Sequence, residues 1–288
     1  MSFCAFGLLP AARVWYASGP NDLAFFGLFH HTSGDSIVRK PLVAGNWKMN
    51  LLTNDGVALV EALKAQVAGV DSVDIVVCPV YTVLQPVAQA AKGSTIAVGG
   101  QNIYPKESGA YTGEISPQML LDVGCTWTII GHSERRQYFK ESDAFLNEKL
   151  KYALGAGLKV MFCVGETLEE REGGEMEAVL TRHITEGLAG LSEADFDSVA
   201  IAYEPVWAIG TGKTATPEQA EEAHLFIRNL VKDTFGSSVA DKVRIQYGGS
   251  VKADNAGELI AKPNVDGFLV GGAALKADGF AAIIKAAA

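Results

Sequence analysis

The sequence predicts an α/β protein, specifically a closed (β/α)8 barrel. Eight short runs rich in β-branched and other apolar residues alternate with helical segments between Lys40 and Ala288. The runs are almost continuously apolar rather than alternating, as parallel strands buried on both faces should be. The eight units occupy about 250 residues, the size of one such barrel. An open doubly wound sheet is the competing architecture, but no GxGxxG follows the first strand to support it.

The elements follow in order. Leu42 to Asn46 is an apolar strand ending in polar residues, with Trp47-Lys48-Met49-Asn50 after it. Thr53 or Asn54 can cap a helix to about Val67, because a short side-chain oxygen satisfies an orphan backbone N–H. Ile75 to Pro79 is the second strand, stopped by its proline, and a helix follows near Val83 to Ala91. Thr95 to Gly99 is the third strand, and 102–113 reads as a long polar loop. Trp127 to Gly131 is the fourth strand. His132-Ser133-Glu134-Arg135-Arg136 comes straight after it as a turn or short helix. A helix is predicted over Asp143–Ala156, a fifth strand over Lys159–Val164, and a helix carrying Met176, Val179, Ile184 and Leu188 at helical spacing. Val199 to Tyr203 is the sixth strand. Thr216-Pro217-Glu218 opens a helix to about Val231, since proline is favourable in a first turn. Val243 to Tyr247 is the seventh strand, with a shorter helix over about Ala253 to Ile260. Gly267 to Val270 is the eighth, and Phe280 to Ala286 closes the chain as a helix.

Composition narrows the function classes. The net charge is -9, and there is no basic block or basic–aromatic interleaving, which excludes a nucleic-acid partner. No apolar run has the length of a membrane span. Cys4, Cys78, Cys125 and Cys163 form no close pair, so neither a disulfide framework nor a cysteine metal site is expected. Buried free thiols suit a reducing, cytoplasmic setting. Residues 1–39 differ in kind: aromatic, poor in acids, with Arg13 as the one basic residue before Arg39 and no steady period. They read as an extension ahead of a catalytic domain at 40–288. The extension is either disordered or a targeting peptide for a mitochondrion or plastid. It is not a secretory signal, for it lacks a basic n-region.

One stretch organises the rest: Ala202-Tyr203-Glu204-Pro205-Val206-Trp207-Ala208-Ile209-Gly210-Thr211-Gly212-Lys213. It places a carboxylate at a strand end, a proline that stiffens the chain after it, an apolar cap, and glycines that free the backbone. That combination suits a lid over a site. In a parallel barrel all strand C-termini meet at one face, where chemistry sits. Reading off those ends collects Asn46 and Lys48, His132, Glu204, Gly248-Gly249-Ser250 and Gly271-Gly272. Each alone has an ordinary reading, as a surface lysine, a structural histidine or a turn glycine. Together they make a set. Glu204, stripped of solvent by Ile209 and Leu269, is a general base whose basicity burial should raise. His132 at a helix start is a neutral donor, because a helix N-terminus disfavours imidazolium. Lys48 is a cation for a developing oxyanion. The glycines after strands seven and eight are a phosphate cradle. The set fits proton transfer beside a carbonyl in a small phosphorylated sugar, by an isomerase or a lyase. Lys159 starts its strand and so lies at the wrong end for a Schiff base.

Five segments also resemble triosephosphate isomerase: Gly45-Asn46-Trp47-Lys48-Met49-Asn50, Gly131-His132-Ser133-Glu134-Arg135-Arg136, the Ala202–Gly212 stretch, Tyr247-Gly248-Gly249-Ser250, and Gly267-Phe268-Leu269-Val270-Gly271-Gly272. They occur in family order over about Lys40 to Ala288. This resemblance implies a TIM barrel that interconverts dihydroxyacetone phosphate and D-glyceraldehyde 3-phosphate through an enediolate, in glycolysis and gluconeogenesis, without cofactor or metal. It implies Glu204 as base, His132 as neutral electrophile, and Lys48 and Asn46 as substrate-holding groups. It further implies Glu134 as a carboxylate beside the lysine, Gly210, Ser250, Gly271 and Gly272 as phosphate contacts, and Ile209 and Leu269 as an apolar clamp. The family assembles as a homodimer, sometimes a tetramer, and Gly109 to Glu114, with Thr112, resembles the loop tip that enters the neighbouring subunit. Ala274 stands where the family usually carries Ser.

Overall fold

The structure, a computed structural model, describes Met1, residues 39–209 and residues 214–288. Eight strands form one closed, all-parallel barrel in sequential order. They are β1 (Leu42–Asn46), β2 (Asp74–Cys78), β3 (Ile96–Gly100), β4 (Trp127–Ile130), β5 (Lys159–Val164), β6 (Val199–Tyr203), β7 (Arg244–Tyr247) and β8 (Gly267–Val270). β1 pairs with β2 on one side and with β8 on the other, from Leu42 opposite Gly267 to Gly45 opposite Val270, which closes the ring. The extension expected at residues 1–39 lies outside the described residues except for Met1 and Arg39. No helix among the described residues is long and apolar enough to cross a membrane.

Two separate cores result from strand alternation. Inside the barrel pack Leu42, Ala44, Val76, Cys78, Ile129, Met161, Cys163, Ala200, Ala202 and Leu269. Their outward neighbours, such as Val43, Val77, Phe162, Ile201 and Phe268, pack with the apolar faces of the surrounding helices. The near-continuous hydrophobicity of the strands is the imprint of these two environments. A polar side chain also sits inside: Gln246 of β7 is buried, and its Nε2 donates to the carbonyls of Leu42 and Phe268.

Most elements fall where the sequence puts them, and the departures have physical causes. The first helix spans Thr53–Gln66 with Leu52 at its N-cap, and no side chain caps it, so Thr53 and Asn54 are inside the first turn. The expected polar loop after β3 continues into a short helix, Pro117–Asp122, capped by Ser116 through the Met119 N–H. The helix begun at Pro217 runs on to Phe235, and a further turn, Ser237–Lys242, follows Gly236.

At the N-terminal end of the barrel Arg39 is built into the structure. Its Nε lies 2.6 Å from Asp266, and Asp266 also pairs with Arg228 and accepts the Ile245 N–H. Arg39, one residue before the expected boundary at Lys40, is thereby tied to the barrel. Gly267, which opens β8, has φ of +132°, and a Cβ there would lie 2.0 Å from the Leu42 carbonyl oxygen. Gly267→Ala must part β8 from β1 at the closure of the ring. A loss of about 3 kcal/mol is expected, seen as a lower urea midpoint at unchanged slope.

Candidate active site

The site is built at the C-terminal ends of the strands. Inward alternation along β6 carries from Ala200 and Ala202 to Glu204, which is buried at 2% exposure beyond the strand end. Two glycines make room for it. A Cβ on Gly165 would lie 1.8 Å from the Glu204 carbonyl oxygen, and one on Gly248 would meet the Glu204 Cγ at 3.0 Å. Two strands away around the barrel, Gly131 has φ of +79° and turns the chain out of β4, so that His132 faces the carboxylate.

His132 is the N-cap of the helix Ser133–Phe139. Its Nδ1 accepts the Glu134 N–H at 3.2 Å. An acceptor nitrogen carries no proton, so the ring is the neutral Nε2–H tautomer. That Nε2 lies 3.0 Å from Glu204 Oε1. The other carboxylate oxygen accepts the Ser133 N–H at 2.8 Å. One helix start thus supplies the acceptor-side lock on His132 and a second donor for Glu204.

These contacts overturn one expectation. Burial alone does push the Glu204 carboxyl up, and it is the largest influence. The facing His132, the Ser133 N–H and the more distant Lys48 ammonium together outweigh it and hold the carboxyl below its ordinary value. Glu204 is shielded from water but well solvated by the protein.

Lys48 has φ of 51°, in the left-handed region uncommon for residues other than glycine. Three bonds hold that turn. The Lys48 N–H donates to Asn46 Oδ1 at 3.0 Å, Gln101 Nε2 donates to the Lys48 carbonyl at 2.8 Å, and Asn50 Nδ2 donates to the Trp47 carbonyl at 2.7 Å. The Lys48 ammonium then lies 2.7 Å from Glu134 Oε1. Asn46 and Lys48 are thereby placed beside His132 and Glu204.

All of them line one cavity of about 470 Å³, along with Ile209, Ser250, Leu269, Gly271 and Gly272. Gly271 approaches the Lys48 side chain closely enough that a Cβ would be 3.5 Å from Lys48 Cε. The short turn Gly272–Leu275 follows it. Of the expected site residues, Gly210 lies outside the described residues. Glu134 contacts the site through Lys48. Thr112 is exposed, in the loop after β3 and away from the cavity lining. Among the described residues no group of three His, Cys, Asp or Glu side chains is arranged to hold a metal ion.

A family model described as triosephosphate isomerase matches residues 41–287. The chain belongs to the triosephosphate isomerase family. It is 53% identical to the triosephosphate isomerase of Carboxydothermus hydrogenoformans over 248 residues, 86% of this chain and 99% of that one. It is 54% identical to that of Clostridium novyi over the same shares, and 51% identical to that of Rhodopirellula baltica over 249 residues, 86% of this chain and 98% of that one.

Beyond the residues expected from sequence, the site of this family member depends on several that sequence reasoning passed over. Gln101 bridges the Lys48 and Cys78 carbonyls, and a glutamine just past an apolar strand gave no periodic signal. Ser133 acts through its backbone, which no side-chain pattern reveals. Glu166 is fully buried after β5 and anchors the start of the loop beyond Glu204. It accepts from Tyr203 Oη and Trp207 Nε1, each at 2.9 Å, and its carbonyl accepts the Val206 N–H at 3.0 Å. Gly165 matters for what it lacks. Gly165→Ala should displace the Glu204 backbone and lower kcat about a hundredfold while the fold survives, as checked by steady-state kinetics beside circular dichroism.

Proposed function

We propose that the chain performs the isomerisation of its family, between dihydroxyacetone phosphate and D-glyceraldehyde 3-phosphate, with Glu204 as the base that moves a proton between C1 and C2. His132, as the neutral Nε2–H tautomer, polarises the carbonyl and passes protons between the two oxygens. Lys48 and Asn46 hold the substrate and stabilise the enediolate. Ser250, Gly271 and Gly272, with Gly210, take the phosphate. The observation that carries this reading is the convergence of Glu204 and His132 at 3.0 Å in a cavity whose far side holds Lys48 and the glycines after β7 and β8.

The lowered Glu204 carboxyl depends on its contacts with His132 and the Ser133 N–H. A carbonyl substrate takes the His132 Nε2–H for itself and requires Glu204 to leave the Ser133 N–H to reach carbon. The carboxylate then loses two donors and keeps its burial, so its proton affinity rises when substrate is in place. Closure of the Pro205–Lys213 loop as a lid, with Ile209 and Leu269 over the base, strengthens that effect. It also keeps water from an enediolate that can lose phosphate. The anchored Glu166–Trp207 contact supplies a rigid hinge for such closure.

Residues 40–288, with Arg39, are proposed to contain all of the chemistry, and the segment before Arg39 adds none. It leaves the protein in the cytoplasm, or directs it to an organelle if it is a transit peptide. The barrel is proposed to work as a homodimer, alone or paired into a tetramer. Met49, Tyr138 and Phe139 are large apolar side chains left exposed near the Lys48 loop and at the end of the His132 helix, and Tyr111 is partly exposed in the loop carrying Thr112. The proposed partner contact of that loop orders Lys48.

Four outcomes test these assignments. A coupled assay supplying glyceraldehyde 3-phosphate should show fast turnover in the full chain and in a chain starting at Arg39. Glu204→Asp should keep substrate binding and lose kcat by about a thousandfold, and an unchanged rate would reject Glu204 as the base. A carboxyl-carbon NMR titration should place Glu204 below the usual 4.5 in the free protein and higher with a non-reacting triose phosphate analogue bound. Sign matters here: a depressed carboxyl adds stability above the ordinary value that is lost as pH falls through the lowered one. Finally, removing Gly109 to Glu114 should give a monomer with poor turnover by gel filtration and assay, and a fully active monomer would defeat the interface assignment.

A further inference from the structure

Glu204 lines two cavities. Behind it, on the side away from Lys48, lies a second one of about 520 Å³, enclosed by the starts of the helices after β4 and β5, by His183, and by the residues just beyond Glu204. We infer that this rear cavity is a binding site for a small, neutral, planar aromatic molecule bearing one hydrogen-bond acceptor, and that its occupation slows turnover without competing with substrate.

Three features define the ligand chemistry. The walls include Val164, Leu168, Val206 and Trp207, which favour an apolar, ring-shaped guest of a size such a volume accepts. The arginines at the cavity are matched by carboxylates, and Glu170 accepts the Thr167 N–H at 2.8 Å. Arg136 pairs with Asp143, Arg182 lies 3.5 Å from the same carboxylate, and Glu141 lies 2.6 Å from Lys149. A charged guest would have to break such a pair or remain unmatched, so a neutral one is selected. The His183 imidazole also lines the cavity. His183 is 5% exposed, and its Nδ1 accepts the Gly165 N–H at 3.4 Å, which puts the ring proton on Nε2. That Nε2–H has no partner among the described residues. Desolvation and the nearby Arg136 hold the imidazole well below its usual range, so it stays neutral at physiological pH. That N–H is open to the cavity, and a guest that supplies an acceptor pairs with it.

The functional consequence follows from shared walls. A guest here touches Glu204, Val206 and Trp207, the base and the root of the proposed lid. It also sits against Ser133, whose N–H holds the carboxylate in its resting pose. Filling the space behind Glu204 supports that pose and opposes its exchange for the catalytic one. Substrate enters on the other side, so its binding is spared while the chemical step is slowed.

Quinoline, neutral near neutral pH and carrying one ring acceptor, is the probe, with naphthalene as its acceptor-free counterpart. On the full chain, quinoline should lower kcat and leave KM within about twofold. Naphthalene should bind about fivefold more weakly, the worth of one neutral hydrogen bond. His183→Phe should weaken quinoline by a similar factor without changing uninhibited kcat. Should that variant fold poorly, Leu168→Trp, at a partly exposed wall, should exclude both compounds. Binding is read independently of turnover from the His183 ring nitrogen shifts by NMR, so loss of the catalytic reading and loss of this site are distinguishable. Inhibition confined to KM, displacement of quinoline by inorganic phosphate, equal response in all variants, or no shift up to the solubility limit would each overturn the inference.

Discussion

Burying a carboxylate beside a reacting carbon is unfavourable unless the protein replaces the water it removes. Here two donors do so, the Nε2–H of His132 and the N–H of Ser133, and both come from the first turn after β4. The arrangement depends on a chain of smaller constraints. Gly131 must adopt positive φ, His132 must cap the helix so that its Nδ1 is an acceptor, and β4 must lie two strands from β6, with β5 between them. If the helix began one residue later, the imidazole would lose the N–H that selects its tautomer. Glu204, His132 and the first turn after β4 are therefore one structural unit.

The rest of the barrel serves that unit by holding strand ends at fixed heights. Strand alternation delivers Asn46 and Glu204 to the mouth as the next inward residues after Ala44 and Ala202. The Lys48 turn, with its unfavourable backbone angle, is held by side chains from two other places in the sequence, Asn46 and Gln101. Glu166 does the same for the segment beyond Glu204. Strain at Lys48 and exclusion at Gly165 are both local costs offset by the packed scaffold around them.

Much of this was legible in the sequence. Strand identity was read from β-branched runs, and the boundaries of β1, β5, β6 and β8 agree, because each run ends at a polar residue, glycine or a change of period. The helix Asp143–Ala156 was equally clear, with Ser142 before it and Gly157 after it. What escaped the reading acts through geometry that a one-dimensional pattern does not carry. The direction of the Glu204 shift depends on a backbone N–H seventy-one positions away. Gln101 and Glu166 look unremarkable until the fold brings them under other loops. The Ser237–Lys242 turn lies past a glycine that ordinarily ends a helix. The chemistry was readable because strand ends in a parallel barrel share a face, whereas its tuning was not.

Arg39 bears on how such a barrel can be joined to other sequence. Its guanidinium closes the base of the molecule through Asp266, and the Asp266 carbonyl in turn accepts the Leu42 N–H at the start of β1. Whatever precedes Arg39 is thus joined at the end of the barrel that holds it together rather than the end that reacts. A cut ahead of that residue keeps this clasp, while a cut just after it takes the clasp from the foundation of the barrel.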